Sequence, residues 1–122
     1  MTSLIERIKQ SRRFKVECSG VVFHGSYLTQ EKYYSYLLEK ITDAEVARRV
    51  VDGWENVKES DLIEGGSDEQ VAFSPELFAE TIGDHPDWWR AVADEVIKKL
   101  SEKADKKEAT EKNSRAGSKA RA

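Results

Sequence analysis

Cysteine is nearly missing from this chain: Cys18 stands alone among 122 residues. A single thiol forms no internal disulfide and excludes a four-cysteine zinc site, and it suits a reducing compartment. Histidine is almost as scarce, with His24 and His85 only. Two histidines and one cysteine at these separations do not give zinc-ligand spacing. No apolar run approaches the ~20 residues of a membrane span, so no membrane partner is expected. Met1 to Lys9 lacks an apolar signal core, so no secretory signal is expected. Neither a phosphate-binding glycine loop nor a nucleophile elbow is present. Cys18 and His24 could face each other across a hairpin, but a small buried thiol and a surface histidine are the favoured reading. His85 reads as a helix-start residue. An enzyme is not expected, nor a cofactor or a metal.

Charge, in contrast, is plentiful and unevenly spread. The whole chain carries −3, yet residues 104–122 hold six Lys/Arg against three Asp/Glu. An acidic body with a basic tail argues against a nucleic-acid-binding core. The tail alone could touch phosphate, a membrane surface or its own acidic body. Within the body, Glu59, Asp61, Glu64, Asp68 and Glu69 crowd one stretch with Gly65-Gly66. Their spacing does not match the alternating ligands and fixed glycine of an EF-hand, so a solvated loop is expected there.

The local patterns predict an α+β fold. Ser3-Leu4-Ile5-Glu6 reads as a capping box opening a short helix that ends near Gln10 and must dock or fray. Phe14–Cys18 alternates apolar and polar residues, Ser19-Gly20 is a turn signal, and Val21–Gly25 is β-rich. Together they predict a β-hairpin, which needs cover on one face. Thr29 caps a helix whose Tyr33, Leu37 and Ile41 form the strongest helical stripe of the first half, with Tyr34 and Leu38 alongside. Thr42-Asp43-Ala44-Glu45 is a further capping box that either starts a new helix or marks a kink. Ala44, Ala47, Val50 and Val51 carry that apolar face to about Asp52, where Gly53 is expected to stop it. Residues 54–73 read as irregular.

Ser74-Pro75-Glu76 predicts the next helix start: a hydroxyl cap, a proline at the first position and an acid near the positive dipole end. Leu77, Phe78 and Ile82 would be its apolar face, with Gly83 its stop. Pro86 opens a last helix whose stripe is Trp89, Val92, Ala93, Val96, Ile97 and Leu100, with Trp88 expected beside the stripe. From Ala104 no large apolar residue remains, so a disordered tail is expected over 104–122, with helix fraying as far as Thr110. The organisation expected is one small domain, 1–103, with an N-terminal hairpin packed on a mainly helical body, followed by that tail.

Trp54-x-x-Val57, the acidic loop, then Phe73-Ser74-Pro75-Glu76-Leu77-Phe78 and Asp84-His85-Pro86-Asp87-Trp88-Trp89 resemble the tail assembly chaperones of long-tailed bacteriophages. The resemblance, with the short helix and strand pair before it, spans most of residues 1–100. It implies a chaperone in the host cytoplasm that binds the tape measure protein, keeps that helical client soluble and helps recruit the major tail protein. It implies no chemistry. Helical geometry cannot point Tyr33, Tyr34 and Tyr36 all inward, and exposed Tyr and Trp are favoured anchors. Tyr34, Tyr36, Trp54, Phe73, Phe78, Trp88 and Trp89 are therefore the candidate protein-binding residues. A homo-oligomer is compatible with such a module, without a fixed symmetry. Two other readings stand beside it: a small structural or head–tail joining protein of the virion, and a regulator using the basic tail on nucleic acid, which the acidic body disfavours.

Overall fold

The computed structural model describes the backbone of residues 3–120 and the side chains of residues 3–105. Its architecture is α+β: a three-stranded antiparallel sheet with helices packed on one face. Helix α1 (Leu4–Ser11) precedes β1 (Arg13–Cys18) and β2 (Val21–Ser26). The hairpin forms where the alternation predicts it, in register Phe14↔Gly25, Val16↔Phe23 and Cys18↔Val21. Ser19 and Gly20 both take positive φ, 52° and 86°, the turn geometry that matches strand twist. That register sets Cys18 on the core face and His24, opposite Lys15, on the outer face. The two cannot meet across the hairpin. The Cys18 thiol instead lies 3.5 Å from the Asp87 carbonyl.

Thr29 caps α2 (Gln30–Glu39) by accepting from the Lys32 amide at 3.2 Å. Lys40, in the left-handed region, ends it. Thr42 then caps a separate α3 (Asp43–Val50), so the second capping box starts a new helix. That helix stops at Val50, earlier than Gly53. Val51–Glu55 forms β3, paired antiparallel with β2. Tertiary pairing overrides the helical spacing of Ala47, Val50 and Val51: the hairpin needs a third partner, and Val51 and Trp54 are good strand residues. The register runs His24↔Gly53 and then Gly25↔Val51, so Asp52 is left over as a bulge. The extra residue turns both Val51 and Trp54 inward, which strict alternation would forbid. Gly25 is required at this crossing, because a Cβ there would strike the Val50 carbonyl.

The rest of the region expected to be irregular is braced. It begins with the short α4 (Glu59–Leu62), and Lys58 bridges to Gln70. The Val71 amide donates to the Val57 carbonyl at 2.8 Å. Two acids serve the loop's own backbone: Asp61 accepts from the Lys58 amide and Glu59 from the Ser67 amide. Ser74 caps α5 (Pro75–Ile82) by accepting from the Leu77 amide at 3.3 Å. Helix α6 (Pro86–Ala120) packs across β1, α3 and α5. The tail expected to be disordered, 104–122, falls almost wholly on residues whose side chains lie outside the described set; the backbone of α6 continues through it to Ala120.

The core joins the inner sheet face to these helices. Phe23, Val57, Phe78, Ile82, Val92 and Val96 are its most enclosed side chains. The buried stripe of α6 is Trp88, Val92, Val96 and Leu100 at four-residue spacing, with Ala93 beside Val92. Trp88 is therefore in the stripe, not beside it, and Trp89 and Ile97 flank it.

A candidate protein-binding surface

The seven aromatics singled out from sequence divide into two groups. Trp54, Phe73, Phe78 and Trp88 form one cluster under the sheet. Trp54 meets Phe73 edge-on at 5.3 Å, and Phe78 lies within about 6 Å of Trp54, Phe73 and Phe23. The Trp54 indole N–H donates to the Val71 carbonyl at 2.8 Å, pinning the returning loop. Phe23 packs on Trp88 at 5.2 Å, and the His85 ring stacks on Trp88 at 3.8 Å. Trp54, Phe78 and Trp88 are buried, so they build the core of this chain. Phe73 and Trp89 are half-buried against it.

Tyr34 and Tyr36 belong to α2, where the surface is different. Tyr36 turns toward the body, with the Arg49 guanidinium 4.7 Å above its ring. Tyr34 is 66% exposed, and so are Leu37 at 58% and Leu38 at 71%. These three lie at i, i+3 and i+4, one continuous helical face. Ile97 of α6, also exposed, extends it. Where α2, α3 and α6 meet lies a small cavity of about 50 Å³, with Tyr36, Leu37, Asp43, Val46, Val96 and Ile97 in its lining. The helix with the strongest stripe in the first half thus has no fully buried residue. Leu37, expected inward from that stripe, points largely to solvent. The aromatic signal does not mark Leu37, Leu38 and Ile97 as surface residues; their helical spacing predicts a covered face, and the structure leaves it open.

A second bare face belongs to α1. Leu4, Ile5 and Ile8 are 68%, 66% and 42% exposed, and no residue of this helix is buried. Ser3 caps it as expected, accepting from the Glu6 amide at 3.1 Å.

Polar contacts of the sheet lie on its outer face. Arg13 grips Asp52 with both terminal nitrogens, at 2.5 and 2.9 Å. His24 stands 3.6 Å from the same carboxylate, and Lys15 pairs with Glu55 at 3.1 Å. The Arg13 hydrogen bond holds the Asp52 carboxyl below its ordinary range, while burial opposes that shift. These contacts join β1 to β3 across β2, which is a structural task. Among the described residues, no three His, Cys, Asp or Glu side chains are gathered to hold a metal ion. Among the same residues, no helix is long and apolar enough to cross a membrane.

Comparison with known protein families, with curated proteins and with solved structures finds no match.

Proposed function

We propose that this chain is a tail assembly chaperone of a long-tailed bacteriophage, acting in the host cytoplasm without chemistry of its own. Its client is the tape measure protein, and the major tail protein is a further partner in tube assembly. One observation supports this reading most: the α2 face of Tyr34, Leu37 and Leu38, continued by Ile97, is apolar and uncovered. Contiguous exposed apolar surface of this kind marks a binding site for protein more than for a small polar ligand. The exposed face of Tyr34, Leu37 and Leu38 suits the apolar stripe of an amphipathic helix laid against it. A long helical client offers such stripes repeatedly.

The test is co-expression with the longest coiled-coil-like protein encoded nearby. The client becomes soluble and co-elutes with this chain, and Leu37→Glu with Leu38→Glu abolishes both effects. Thermal unfolding of that double variant stays close to the parent, because neither side chain supports the core. A client that stays insoluble, with this chain found instead in mature particles, would put the structural or head–tail joining reading in its place.

A further inference from the structure

The fold sorts charge to its two ends, and each end also carries uncovered apolar side chains. At one end β1 begins and β2 finishes, paired Arg13↔Ser26. Helix α1 sits here, sharing an open cavity lined by Glu6, Lys9, Gln10, Arg13 and Ser26. Its bare Leu4, Ile5 and Ile8 are accompanied by Arg7, Lys9 and Arg12 against one acid, Glu6. At the other end lie the β1–β2 turn and the end of β3. The α4 loop hangs there, since Ser19, Gly20, Asn56, Lys58, Asp61 and Gln70 line one cleft. Residues 59–69 hold Glu59, Asp61, Glu64, Asp68 and Glu69 with no Lys or Arg among them. In their midst Ile63 is 62% exposed.

Within one molecule these two surfaces cannot satisfy each other. The six residues of β1 stand between them, about 17–20 Å of strand. An eight-residue helix without a buried side chain is marginal by itself and gains most from a partner. The partner that matches it has an apolar anchor ringed by acids, and this chain displays one.

We propose that α1 of one copy docks on the α4 loop of a second copy, setting Leu4, Ile5 and Ile8 against Ile63 with Arg7 and Lys9 facing Glu64, Asp68 and Glu69. The contact is heterologous: the two surfaces differ, so each copy gives one and receives the other. Such contacts run head to tail and either close or extend. Opposed charges steer the encounter and fix its register, and salt weakens them. This contact leaves the α2 face free and stands without the chaperone reading.

Sedimentation velocity on the full chain tests it with two charge-reversed variants. One carries Arg7→Glu and Lys9→Glu; the other carries Glu64→Lys, Asp68→Lys and Glu69→Lys. All substituted side chains are exposed, and circular dichroism verifies that both variants fold. The parent chain shows concentration-dependent assembly at low salt that dissolves as salt is raised. Each variant alone loses association by more than about tenfold. Mixing the two restores it, because the reversed α1 now meets a reversed loop. A parent chain that remains monomeric at every concentration and salt overturns the proposal. So does assembly that either reversal leaves unchanged, or two dissociated variants that stay apart when mixed.

Discussion

Three side chains show how much of this fold is decided one residue at a time. Trp54 supplies both a ring for the aromatic cluster and a donor for the Val71 carbonyl. Trp54→Phe keeps most of the packing but leaves that carbonyl without its partner, so urea denaturation should show a loss of about 1–2 kcal/mol. Gly25 admits no Cβ beside the Val50 carbonyl. Gly25→Ala must push β2 and β3 apart at the bulge, and an unfolding midpoint lowered by about 2 kcal/mol or more in free energy is expected. Asp52 gives the pH dependence. Its carboxyl is held low by Arg13, so the folded chain takes up that proton less readily than the unfolded chain. The stabilisation is complete above the ordinary carboxylate range, about pH 4, and is lost as pH falls through the lowered value. Both partners are substantially exposed, 33% and 55%, so the pair contributes no more than about 1 kcal/mol. Asp52→Asn should remove it, and the acid limb of stability against pH should flatten relative to the parent.

At the scale of elements, caps and turns were legible in the sequence and the burial of each helical face was not. Ser3, Thr29, Thr42 and Ser74 each cap the helix that their local pattern announces. Capping is a contact between residues three apart, so sequence contains all of it. Ser74→Ala should cost about 1 kcal/mol, read from thermal unfolding, because α5 holds Phe78 in the cluster. The hairpin was legible for the same local reason. β3 was not, because Val50 and Val51 fit a helical face as well as a strand. Only the pairing with β2, more than twenty residues away, decides between them. The α2 stripe shows a related ambiguity: periodicity marks an apolar face and does not say whether the chain or a partner covers it. Trp88 and Trp89 differ by one position on α6, and the packing of Phe23 selects Trp88. Of the candidate binding residues, the sequence marked α2 through Tyr34 and Tyr36, but the aliphatic part of that face became visible only with the exposures.

The whole molecule is a sheet covered on one side by α3, α5 and α6, with α1 and α2 displayed around it. Its exposed surface carries an apolar helical face on α2 and bare apolar side chains on α1 and in the acidic loop. The α2 face is proposed to receive a client helix. Hydrogen–deuterium exchange on this chain, free and in complex with the co-purified client, tests it most directly. Slowed exchange over residues 30–41 and around Ile97 is expected in the complex, with the already protected amides of β2 unchanged. A complex whose new protection falls elsewhere and leaves residues 30–41 exchanging as in the free chain would contradict it.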